Sequence, residues 1–235
     1  GEIQDALVPR VRGALERLSF LLVPSTLAYL VLGDVFVAAL FQRGEFGPDD
    51  ATATYVILCA YALGLPASAS SRALSSAFYA LRNTRTPALV ASLRVVVSIG
   101  LGAALMFPLD TLAVGTRHLG AAGLALGSVA GAWLEFGLLR RRLVREIGAH
   151  GPGWRPVIRH LLAGSVAAAA GFLALGWVGF SRASGVLPDL LGEDASLLDP
   201  ASAVATAGVF GVTYLVIASA LRVGIPLRRR RISGS

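Results

Sequence analysis

Six apolar runs, at about 18–41, 51–79, 87–108, 119–139, 157–180 and 201–222, alternate with short polar stretches along the whole chain. A helix rises 1.5 Å per residue, so a run of roughly 20 apolar residues covers a hydrocarbon core of about 30 Å. Each run therefore predicts a membrane-spanning helix. Pro48-Asp49-Asp50 marks a helix start before the second run, which is long enough to extend beyond the hydrocarbon at its polar end. Pro87 suits the first turn of the third, where its missing N–H costs nothing. Small residues are abundant, 27 glycines among them, as close helix packing in lipid requires.

Composition supports the same class. Apolar residues make up 55% of the 235 and charged residues 15%, against about a quarter charged in a soluble domain. The fold expected is all-α and polytopic, with six transmembrane helices. All 21 basic residues are arginine and the net charge is +7. Taken alone that balance would fit nucleic acid, but the arginines stand between apolar runs, and no nucleic-acid partner is expected. Arg10, Arg12 and Arg17 precede span one; Arg82 and Arg85 join spans two and three. Arg140, Arg141, Arg142, Arg145 and Arg155 join four and five, Arg159 lies just inside span five, and Arg228 to Arg231 form the tail. All of these fall on one side of the membrane. Arg43, Arg117 and Arg182 share the other side with Glu45, Asp49, Asp50, Asp110, Asp189, Glu193, Asp194 and Asp199. The positive-inside rule then places both ends in the cytoplasm, a parity six spans satisfy. The opening "GEIQDALVPRVRGALERL" is amphipathic and reads as the interior of a longer chain, so residues upstream of Gly1 are expected.

Candidate chemistry lies in charges near or within the spans. Arg72, in "ASASSRALSSAFY", stands ten residues before Arg82, about 15 Å of helix. It either snorkels against another helix or contacts an anion in a polar cavity. Arg82 and Arg85 flank the turn between spans two and three. They either guide a phosphorylated headgroup with their fork-like donors or set topology and touch lipid phosphates. Arg94 lies two helical turns past Pro87 and either snorkels to the cytoplasmic surface or faces a cavity. Glu135 is expected to pair with Arg140–Arg142 unless it faces a cavity. Asp34, in the outward half of span one, faces a cavity or pairs with a basic group on a helix outside this chain. His118, His150 and His160 form no metal spacing, and HExxH, GxSxG and phosphate-loop patterns are absent. Cys59, the one cysteine, lies within an apolar run, so no disulfide framework is expected. Neither catalysis nor a cofactor is expected.

Three segments in order carry a family resemblance: "LFQRGEF" at Leu40–Phe46, "YALGLP" at Tyr61–Pro66 and "AFYALRNTRTP" at Ala77–Pro87. A weaker fourth is "GAAGLALGSVAGAWLEFGLLRRRL" at Gly120–Leu143. The chain closely resembles the MurJ (MviN) lipid II flippases of the multidrug and polysaccharide exporter superfamily, well over about residues 10–145 and by position and hydropathy beyond.

The resemblance implies the last six helices of a fourteen-helix flippase. Residues 1–145 would supply second-lobe helices nine to twelve. Residues 146–235 would supply two additional C-terminal helices, which in the family form a groove for the lipid tail, and a basic cytoplasmic tail. It further implies a bacterial inner-membrane protein of peptidoglycan synthesis, cell-wall biogenesis and cell shape. Such a protein moves lipid II, an undecaprenyl-diphosphate glycolipid, to the outer leaflet by alternating access. Membrane potential or an ion gradient would drive it, and an N-terminal lobe of the same chain and membrane lipids would be its partners. Arg72 falls where relatives often carry a basic residue. Arg82 and Arg85 match the loop signature, although Asn83 replaces a common aspartate. Arg94 and Glu135 stand where relatives usually have small, apolar or amide residues, and the resemblance implies no role for either. Alternatives are an exporter of another prenyl-linked polysaccharide, a drug/ion antiporter, a membrane module that has lost transport, and a membrane enzyme.

Overall fold

A computed structural model describes residues 2–41, 45–149, 154–177 and 200–220. Gln42–Gly44, His150, the connection after 177 and the tail arginines Arg228–Arg231 lie outside these. The described chain forms α1 (Glu2–Phe41), α2 (Pro48–Ala62), α3 (Leu65–Ala80), α4 (Arg85–Asp110), β1 (Ala113–Val114), β2 (Arg117–His118), α5 (Gly120–Ile147), α6 (Trp154–Trp177) and α7 (Pro200–Ala220). It is a polytopic membrane protein. Four stretches are long and apolar enough to cross a bilayer: Ala6–Phe41, Pro48–Ala80, Arg85–Asp110 and Gly120–Ile147. Shorter apolar stretches, Val157–Leu173 and Thr206–Ala220, occupy α6 and α7.

The long helix α1 is the spine. Near its start, Val11 and Leu15 pack with Leu74 and Phe78 of α3, Val90 of α4, and Leu139 and Leu143 of α5. This cluster gathers the start of α1, the α3–α4 turn and the end of α5, so the arginine-rich ends meet at one pole. Further along, Phe20 packs against Ala163 and Ala167 of α6 and Tyr214 and Ala218 of α7, and the Tyr214 hydroxyl donates to Phe20 O at 2.7 Å. Gly164 lets α6 come against α1 at Pro24, where an added Cβ would stand 3.3 Å from the Pro24 Cα.

Contrary to the continuous second span read from hydropathy, that span breaks at Leu63-Gly64 into α2 and α3. Pro66 lacks the N–H that would reach Ala62 O in an unbroken helix. Thr26 Oγ1 donates to that carbonyl instead, at 3.2 Å, and Trp133 Nε1 donates to Leu63 O at 3.0 Å. Lipid offers no replacement donors, so a break is tolerated where neighbouring helices satisfy the freed groups. Two other boundaries also shift. Helix α1 begins far ahead of the apolar run, and α5 continues through Arg140–Arg145 to Ile147, so those arginines lie on a helix rather than in a loop.

At the acidic pole β1 and β2 form a small antiparallel hairpin, with Ala113 opposite His118 and Val114 opposite Arg117. Gly115 turns it at φ +57, and a side chain there would overlap the Asp49 carboxylate. That carboxylate accepts from Thr116 N at 3.0 Å, while Arg117 Nε meets Asp50 Oδ1 at 2.6 Å. The hairpin is thereby fastened to the start of α2.

Candidate functional site

Helix α3 commits one face to the protein and leaves the other open. Ala67, Ser71, Leu74, Ala77 and Phe78 are buried at helical spacing. Arg72, Ser76 and Tyr79 recur on the opposite side at i, i+4 and i+7 and are exposed. Arg72 thus stands on a polar strip beyond the break, with no carboxylate partner among the described residues. A guanidinium so placed can offer all its donors to an anion.

The α3–α4 turn is a built corner. Arg82 N donates to Tyr79 O at 3.0 Å and Asn83 N to Phe78 O at 2.9 Å, the two bonds of a Schellman motif. The motif needs a left-handed residue at its centre, and Arg82 takes it at φ 58. Asn83 then caps α4: its Oδ1 accepts from Thr86 N at 3.1 Å while its Nδ2 donates to Glu146 at 3.3 Å. Asn83 thereby ties the turn to the end of α5, where sequence reading saw only the loss of an aspartate. Pro87 is buried in the first turn of α4, as expected. The Arg82 and Arg85 side chains are both exposed.

Arg94 and Glu135 are joined to each other. Arg94 Nη1 lies 2.7 Å from Glu135 Oε2, the pair linking α4 to α5. The expected pairing of Glu135 with Arg140–Arg142 is not formed. Helices α4 and α5 meet along Gly123, Gly127 and Gly131, whose added Cβ atoms would collide with the α4 backbone at Leu105 and Gly102 and with the Ser98 side chain. That close approach brings the two charges together. Arg94 also borders a cavity of about 210 Å³ with Ser68 and Gly64, beside the break. Asp34 is buried in α1 next to Gly33, on which the Tyr55 ring rests at 3.1 Å from an added Cβ.

No described contact unites Arg72, the Arg82–Arg85 pair and the Arg94–Glu135 pair. They are three separate features along the α3–α5 half of the molecule. Sequence reading missed Arg140, which it counted as a topology charge. Its guanidinium lies 6.0 Å from the Phe136 ring centroid and lines a cavity of about 600 Å³ between α1, α3, α5 and α6. Trp133, Phe136 and Arg140, spaced three and four residues apart, were the available signal.

The family model described as lipid II flippase MurJ matches residues 3–188. A probable lipid II flippase MurJ of Rhizobium meliloti (strain 1021) is 33% identical over 167 residues, covering 70% of this chain and 29% of that protein. Its counterpart in Rickettsia prowazekii (strain Madrid E) is 32% identical over 116 residues, covering 49% and 21% respectively. The chain thus spans less than a third of the length of these relatives. Among solved structures, a lipid II flippase MurJ in an inward closed conformation superposes with a TM-score of 0.67. It shares 17% identity and covers 93% of this chain and 42% of that one.

Proposed function

This chain belongs to the MurJ lipid II flippase family, and from that premise we propose that it forms the later helices of a flippase carrying lipid II from the inner to the outer leaflet by alternating access. The match over residues 3–188 carries the reading. The fold likeness supports the architecture on which it rests. The family is one of transporters, not enzymes.

In this proposal residues 1–145 belong to the second lobe and 146–235 to two appended helices and a basic tail. The protein lies in the bacterial cytoplasmic membrane with both described poles oriented by charge: the arginine-rich pole inside, the Asp49–Arg117 pole outside. An N-terminal lobe of the same protein faces the open strip of α3, and Arg72 meets the diphosphate there through fork-like charged hydrogen bonds. Arg82 and Arg85 stand at the cytoplasmic mouth of that path. Transport draws on the membrane potential or an ion gradient, a charge crossing 100 mV being worth about 2.3 kcal/mol.

The test is rescue of cells depleted of their essential lipid II flippase by the full-length parent gene, with membrane abundance checked for every variant. Wild type is expected to rescue and Arg72→Ala, at normal abundance, to fail. A well-expressed wild type that does not rescue would refute the lipid II assignment. Full rescue by Arg72→Ala would remove Arg72 from the substrate path.

A further inference from the structure

The groove beside Arg140 runs along α1 from Leu15 to Leu30 and Leu63. Leu15 belongs to the cluster that gathers the arginine-rich ends, and Leu63 marks the break midway along the second span. From Leu15 to Leu30 is roughly 22 Å of helix. That is about half of a bilayer of roughly 40–45 Å, headgroups included. The groove therefore has the reach of one leaflet, from the arginine-rich surface to the midplane.

Among the described residues its wall carries a single charge, Arg140, at the surface end. No carboxylate pairs with that guanidinium among the described residues. Of the three described wall hydroxyls two are already committed, Ser19 Oγ to Leu15 O at 2.8 Å and Thr26 Oγ1 to Ala62 O at 3.2 Å, which leaves Ser70. A headgroup rich in sugar or peptide would find few partners here. A phosphate with an alkyl chain would find a cation for one and an apolar channel for the other. Described residues of α7 take no part in the wall. Helix α6 meets α7 through Ala163 and Ala167, so this groove is not the one expected between the last two helices.

We propose that the groove holds an anionic phospholipid of the leaflet at the arginine-rich pole, its phosphate on Arg140 and one acyl chain along α1. The proposal needs the membrane-spanning fold and does not depend on what the protein transports.

Native mass spectrometry of the full-length natural protein tests it, with dioleoyl phosphatidylglycerol, dioleoyl phosphatidylcholine and a long-chain polyprenyl phosphate as probes. Phosphatidylglycerol is expected to bind about tenfold more tightly than phosphatidylcholine, whose phosphate is the same but whose choline cation is repelled by the Arg140 guanidinium. Arg140→Gln should abolish that preference, and Arg141→Gln, an exposed neighbour outside the wall, should keep it. Ile158→Trp, which fills the groove without touching Arg140, should weaken both phospholipids. Equal binding of the two phospholipids to wild type would overturn the proposal. So would an undiminished preference in Arg140→Gln, or displacement of phosphatidylglycerol by the polyprenyl phosphate. If Arg140→Gln does not fold, the wild-type comparison and Ile158→Trp decide the matter.

Discussion

Arg94 and Glu135, 41 residues apart in sequence, meet at 2.7 Å inside the α4–α5 seam, the carboxylate side chain 9% exposed and the guanidinium side chain 33%. A buried carboxylate that loses its partner keeps its desolvation cost, whereas replacing both charges by apolar groups removes that cost. Glu135→Met and Arg94→Met alone should each lower the unfolding temperature in detergent. The double variant should recover much of the loss, with a coupling of about 1–3 kcal/mol. The partial exposure of Arg94 favours the lower part of that range. Strictly additive losses would show that the pair contributes no coupling.

The glycine seam predicts a graded series. A Cβ at Gly127 would overlap the Gly102 backbone, while one at Gly137 on the same helix meets nothing within 4 Å. Gly127→Ala should lower the melting temperature and Gly127→Leu should prevent monodisperse purification. Gly137→Ala should leave stability unchanged or raise it by up to about 1 kcal/mol through helix propensity. Equal tolerance at the two positions would contradict the close approach.

The broken span makes a prediction about hydrogen bonding. Trp133→Phe removes the donor to Leu63 O and Thr26→Val the donor to Ala62 O. Each leaves a carbonyl unpaired, at a cost of about 1–3 kcal/mol. Both variants should show faster hydrogen exchange around residues 62–67 than wild type, with α4 and α5 unaffected. Uniform protection across the break would mean that these side chains do not hold it.

Arg82 separates conformation from charge. Left-handed backbone costs an L-residue roughly 1–2 kcal/mol that glycine does not incur. Arg82→Gly should therefore raise thermal stability, and Arg82→Val should lower it. If the Arg82 charge serves transport, the glycine variant will be more stable yet less active in the rescue assay. A less stable Arg82→Gly would contradict the φ of 58 at this turn.

Hydropathy and charge order along the chain determined where the apolar helices lie, the place of Pro87 in the first turn of α4 and the segregation of arginines from aspartates. Each of these depends on residues close in sequence: twenty apolar neighbours make a span whatever they pack against. The motifs around Tyr61–Pro66 and Ala77–Pro87 likewise carried the family. The α2–α3 break was half legible in Gly64 and Pro66, but hydropathy averages over it. Which groups satisfy its freed carbonyls is decided by Thr26 and Trp133, on helices remote in sequence. Glu135 shows the same division. Its nearest arginines in sequence lie on its own helix, yet its partner is Arg94, because three glycines draw α4 against that face of α5. Arg140 reads as one of a run of three basic residues until helix packing turns it alone toward a groove. Partner choice depends on which helix faces come together, and only the tertiary structure decided that.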